Sequence, residues 1–168
     1  WEEGPPLDGA ARDYALRYYG GAAEGAWIEI ALEALAWLER AAARLERGFV
    51  LTIDYGYLAR EWRRFPQGTL MSYRSHRASE DVLIRAGEQD ITAHVNFSAL
   101  EEHGARCGLE TVRYESMAQT LFAAGAGDNF AAALEASSPA ERLARRLQLK
   151  TLLFGMGETF RTLLQRKL

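Results

Sequence analysis

The sequence predicts an α/β fold, on three observations. Ile28, Ala31, Leu32, Leu35, Leu38, Ala42 and Leu45 recur at three- and four-residue intervals, the spacing of one helix face. "FVLTIDYG" follows directly, a short β-rich run whose first half lacks polar alternation, as in a strand buried on both faces of a parallel sheet. Beyond residue 96, helix-like and strand-like segments alternate again.

Each element has a local reason. "WEEGPPLDG" has the prolines and glycines of a loop, and residues 1–23 read as loop or linker, within which "AARDYALRYYGG" suits a short helix ended by Gly20 and Gly21. The helix from Ile28 is rich in Ala, Leu, Glu and Arg, with Arg44 and Arg47 near its carboxyl end and Gly48 as its stop. The strand Phe49–Asp54 ends in Asp54, Tyr55 and Gly56. A polar residue and a glycine there suit a ligand crevice, which in α/β folds lies beyond the carboxyl ends of strands; a turn acid is the other reading of Asp54. Residues 57–90 are rich in Arg, Tyr, Trp and Gly without periodicity and read as a loop-rich insertion; "EWRR" within them reads as solvated loop.

"NFSALEEHGARCG" returns to helix, capped by Asn96 or by Ser98, which has capping-box spacing to Glu101; Gly104 weakens it and Gly108 ends it. "LETVRYE" reads as a strand, "MAQTLFAAG" as a helix, and "SPAERLARRLQLKTLLF" as a helix opened by Ser138 and Pro139. "MGETFRTLLQRKL" reads as a strand, although its pattern also permits a helix.

Composition narrows the function classes. The chain has 168 residues, the size of one domain or part of a larger one. A net charge of -3 gives no electrostatic case for nucleic acid, and no apolar run is long enough for a membrane span. The 18 Arg against 2 Lys suggest a GC-rich, bacterial genome. The single Cys107 excludes an intrachain disulfide and a multi-thiolate metal site, and fits a cytoplasmic setting. The three histidines, His76, His94 and His103, lack the spacing of a helical metal pair, so no metal is expected, and His103 reads as a surface residue. No Walker loop, HExxH, GxSxG or GxGxxG after a strand is present. The chain opens on Trp1 rather than Met, so its true N-terminus is expected upstream. "GEQDITAHVNF", from Gly87 to Phe97, is dense in hydrogen-bonding groups and reads either as part of a site or as the entrance to a helix.

Five blocks carry a resemblance. In order they are "GFVLTIDYG", "GTLMSYRSH", "GEQDITAHVNFSAL", Gln119 with "LF" and a glycine soon after, and "MGETFRTL"; "EGAWIEIALEALAWL" precedes them. Each is weak alone, but their order and spacing over residues 24–164 resemble the MidA-like class I S-adenosylmethionine-dependent methyltransferases, the family of the mitochondrial complex I assembly-factor protein arginine methyltransferase. The family commonly has a proline after the block ending in His76; "SEDVLIRAG" has none.

The resemblance implies the C-terminal part of a Rossmann-like sheet, with the final strand antiparallel between its neighbours. It implies S-adenosylmethionine as cofactor, held mainly by a glycine-rich loop and strand-end acid upstream of Trp1, so that residues 1–168 are the C-terminal portion of one methyltransferase domain and inactive alone. The acceptor would be a protein side chain, an arginine. The alternative is a non-catalytic binding or assembly factor that retains the fold. Asp54, Tyr55, His76, Asp90, His94 and Glu29 are the candidate catalytic residues. Glu29, read as lying at the start of the amphipathic helix, has a second reading as a first-turn acid favoured by the helix dipole. The edge of the "FVLTIDYG" strand is expected to lie against the absent N-terminal half, another copy or a partner.

Overall fold

The computed structural model describes residues 4–75, 77–85 and 87–168. Helices α1 (Gly9–Tyr19) and α2 (Leu32–Arg44) precede strand β1 (Gly48–Tyr57). A 3-10 turn, Ala59–Arg64, leads to β2 (Met71–Arg74), β3 (Arg77–Ser79), β4 (Asp90–Thr92) and β5 (Val95–Asn96). Then come α3 (Phe97–Arg106), β6 (Glu110–Ser116), α4 (Met117–Gly125), α5 (Ala131–Leu134), α6 (Pro139–Lys150), a π-turn at Thr151–Met156, and β7 (Phe160–Lys167).

The main sheet has the order β5-β1-β7-β6. β7 is antiparallel to both neighbours, as the resemblance implied, and β1 is parallel to β5. The parallel part is short: only Gly56↔Val95 and Tyr57↔Asn96 pair. From Gly48 to Tyr55 β1 pairs with β7 alone, so its other edge has no strand partner among the described residues. β2, β3 and β4 form a separate antiparallel sheet in the order β3-β2-β4.

Two apolar clusters hold the chain together. Leu38 and Ala42 of α2 pack with Phe97 and Leu100 of α3, Leu109, and Leu163 of β7 against one face of the main sheet. Tyr14, Tyr18 and Tyr19 of α1 pack with Tyr57, Trp62 and Ala99. Residues 1–23 are therefore only partly linker-like, because α1 puts three tyrosines into the core. "EWRR" is likewise no solvated loop, since Trp62 is buried edge-on against Tyr19. The opposite face of β1 is bare. Phe49, Leu51, Ile53 and Tyr55 alternate along it with exposures from 63% down to 41%.

Several expected helix ends move for packing reasons. α2 starts at Leu32, not Ile28, because the preceding segment is extended: Ala26, Ile28 and Ile30, at a spacing of two, pack on the tyrosine cluster. Gly48 does not cap α2, which ends at Leu45; with φ 145° it opens β1. Asn96, not Ser98, caps α3, its Oδ1 accepting from the Ala99 N–H at 3.2 Å, while Ser98 Oγ accepts from the Ala59 N–H. Gly104 supports its helix: a Cβ there would lie 2.2 Å from Gln165 Nε2, so only glycine lets α3 sit this close to β7.

Candidate functional site

The carboxyl end of β1 meets β5 and the segments before β2 and α2. Gly56 makes the meeting possible, since a Cβ would fall 2.3 Å from the Val95 carbonyl and 2.5 Å from the Phe97 ring. Just beyond, a cleft of about 530 Å³ is lined by Trp27, Phe65, Thr69, Met71, Val82 and His94.

His94 stands between aromatic rings. Tyr55 stacks with it at 6.0 Å, Phe65 meets it edge-on at 5.2 Å, and Tyr57 lies 6.5 Å away. Tyr55 in turn packs on Phe160 of β7 at 3.9 Å. The imidazole Nδ1 is buried with no hydrogen-bond partner among the described residues. Burial pushes its pKa below the usual histidine value; Glu29 and Asp54 pull the other way, which places both carboxylates in electrostatic reach. The ring is therefore neutral at pH 7, with a nitrogen free to accept a proton.

Glu29 is fixed from three directions. Its Oε1 accepts from the Thr69 backbone N–H and, at 3.0 Å, from the Thr69 hydroxyl. Its carbonyl accepts from Tyr19 OH at 3.0 Å. Tyr19 has one proton to give, so at 2.7 Å Tyr57 OH donates to Tyr19. Burial raises both phenol pKa values, which keeps the protons in place. Thr69 Oγ1 also accepts from the His94 N–H at 2.8 Å, so one hydroxyl ties the acid to the histidine. The approach needs Gly68, whose φ is 73° and whose hypothetical Cβ would lie 2.8 Å from Glu29 Oε1. Glu29 thus precedes α2 and is no first-turn acid; the loop at Gly68 and Thr69 holds it instead.

The structure brings Glu29, Asp54, Tyr55 and His94 together. Asp54 is exposed at the strand end, its Oδ1 accepting from the Tyr55 N–H at 2.7 Å. Asp90 is not joined to them. It is exposed, opposite Tyr73 in the small sheet, and its side chain makes no hydrogen bond or ion pair among the described residues. His76 lies outside the described residues. His103 is only partly at the surface; its side chain is 19% exposed and lies 3.8 Å from Glu39. Sequence reasoning missed Trp27, Phe65, Thr69, Tyr57 and Phe160. Thr69 stood inside the "GTLMSYRSH" block, and the alternation of Ala26, Ile28 and Ile30 was the signal that Glu29 is not helical. Among the described residues no group of three or more His, Cys, Asp or Glu is placed to hold a metal ion, and no helix is long and apolar enough to cross a membrane.

The family comparison now decides the assignment. Residues 1–115 match a family model described as "Putative S-adenosyl-L-methionine-dependent methyltransferase". The chain belongs to this family. It is also similar to a Burkholderia thailandensis structure described as a "likely methyl transferase" bound to S-adenosyl-homocysteine. The identity is 35% and the TM-score 0.83, over 97% of this chain and 43% of that one. A second structure from the same organism, of an uncharacterized protein, matches at 35% identity and TM-score 0.81, over 96% of this chain and 44% of that one. The chain therefore spans less than half the length of these relatives. No curated protein sequence matches it. The mixed sheet, with its antiparallel last strand, is that of a methyltransferase fold.

Proposed function

We propose that this chain carries the acceptor side of an S-adenosylmethionine-dependent methyltransferase acting on a protein side chain, an arginine. The observation that carries the reading is the aromatic-walled cleft at the end of β1, with an unpaired imidazole nitrogen and two carboxylates in its reach. A guanidinium stays charged in solution, so it must be gripped by carboxylate and must lose a proton as it is methylated. Glu29, locked by Thr69 and Tyr19, holds the cation, and Asp54 adds negative potential. Trp27 and Phe65 line the cleft, and aromatic walls suit a planar cation. His94 Nδ1 takes the released proton.

Bound S-adenosylmethionine supplies an electrophilic methyl group. Cradling it takes a glycine-rich strand-to-helix loop, and none stands among the described residues, so these residues fit the acceptor rather than the whole cofactor. On this reading the main cofactor contacts, and the cover for the bare edge and face of β1, come from the remainder of the family's fold.

The test is in two parts. Calorimetric titration of S-adenosylmethionine into residues 1–168 gives no appreciable heat, whereas the full-length protein binds it and transfers labelled methyl to a peptide arginine. His94→Ala in the full-length protein removes transfer and leaves cofactor affinity intact. Tight binding by residues 1–168 alone overturns the division of labour. Cofactor binding with no transfer to any peptide favours the non-catalytic assembly factor.

A further inference from the structure

We propose that Arg74, Arg77 and Arg85 form a docking surface for an acidic segment of the protein substrate, next to the acceptor cleft; the proposal rests on the reading of a protein acceptor. Arg74 and Arg77 are directly opposite in the β2–β3 hairpin, so both side chains leave the same face. Ser72 and Ser79 are opposite each other two positions further on, again on that face. Arg85 joins them around a cavity of about 490 Å³, with Ser75 and Asp81 also on its wall.

Like charges directly opposite in a strand pair are destabilising, and the described residues offset this pair only in part. Glu88 Oε2 is the single carboxylate shared by Arg74, at 3.6 Å, and Arg85, at 3.8 Å. Asp81 turns its Oδ1 to the Ile84 N–H. Arg77 is exposed, and its side chain has neither an ion pair nor a hydrogen bond among the described residues. The cavity therefore holds unspent positive charge in the fork geometry that matches carboxylate.

Two features select an acidic peptide over a polyanion. Glu80 and Glu88, in the connection from β3 to β4, and Asp90, at the start of β4, are exposed, so a long phosphate backbone would meet them, while a short acidic segment fits between. The chain also links the two clefts directly: Thr69 and Met71 line the acceptor cleft, and Ser72 and Arg74 line the basic one. Thr69 and Arg74 are five positions apart, which at strand rise is at most roughly 17 Å, about five residues of extended substrate.

The experiment reads binding by fluorescence anisotropy in the full-length protein, without turnover. The probes are a labelled peptide with a central arginine and a Glu-Asp cluster about five residues away, and its Gln-Asn counterpart. The acidic peptide is expected to bind about tenfold more tightly than the neutral one, with the preference fading as salt rises. Arg77→Gln reduces affinity for the acidic peptide roughly tenfold and Arg77→Glu reduces it further, with the neutral peptide unaffected and the melting temperature unchanged. Equal binding of the two peptides, or indifference to Arg77→Glu, overturns the proposal. So does displacement of the acidic peptide by a single-stranded oligonucleotide or by inorganic phosphate more readily than by its own unlabelled form. Acid preference lost on Arg77→Glu, with no labelled methyl transferred to either peptide in a separate assay with S-adenosylmethionine, upholds the docking surface and sinks the acceptor reading instead.

Discussion

Replacing Thr69 by valine removes one buried oxygen and keeps the branched shape. Its Oγ1 donates to Glu29 Oε1 at 3.0 Å and accepts from the His94 N–H at 2.8 Å. A hydrogen bond to a charged group is worth about 1.5–3 kcal/mol net, and a buried N–H left without a partner costs about 1–3 kcal/mol. Glu29 is half-buried and keeps the Thr69 backbone N–H, so the lower ends apply, and the expected loss is about 2.5 kcal/mol. Urea titration measures it. At a slope of roughly 2 kcal/mol per molar, the midpoint falls by about 1.2 M with the slope unchanged. The freed loop also lets water reach the imidazole, so NMR titration of His94 shows its pKa rising toward 6.5, the ordinary value. A midpoint shift below about 0.5 M, with the His94 titration unmoved, refutes the idea that this hydroxyl couples acid to histidine.

His94 also makes stability depend on pH. Its folded pKa is depressed, so the unfolded chain binds more protons between the folded value and about 6.5, and stability falls as pH drops through that window; urea midpoints between pH 7.5 and 5 follow this in the native protein and lose the His94 share in His94→Phe. Gln165 is fully buried with both ends of its amide unpaired among the described residues, so Gln165→Met raises stability by about 1 kcal/mol in thermal unfolding, and a drop instead shows a hidden partner. Gly104→Ala drives a methyl into the Gln165 amide and destabilises by about 1–3 kcal/mol, with partial relief in the Gln165→Ala background. Residues 1–168 by themselves self-associate through the bare face of β1, and Leu51→Lys with Ile53→Lys lowers the sedimenting mass; an unchanged mass places the association elsewhere.

What the sequence by itself determined was local and periodic. The 3.6-residue spacing from Leu32 to Leu45, the run "FVLTIDYG", the Ser138-Pro139 start and the alternation in "LETVRYE" each name an element from neighbours close in the chain, and each forms where expected. The order of its motif blocks also carried the family and the antiparallel last strand. Helix limits were less legible, because Ile28 satisfies the helical spacing and an extended spacing of two at once, and only contact with the tyrosine cluster selects the second. Tertiary structure alone decided the site. Glu29, Thr69 and His94 are separated by 40 and 25 residues and meet through one hydroxyl, a contact no periodicity encodes. Asp90, only four residues before His94, stays apart because β4 carries it into the small sheet. The values of Gly68 and Gly104 were invisible for the same reason: a missing Cβ matters only where another segment comes within about 3 Å, and which segment comes is settled by the fold.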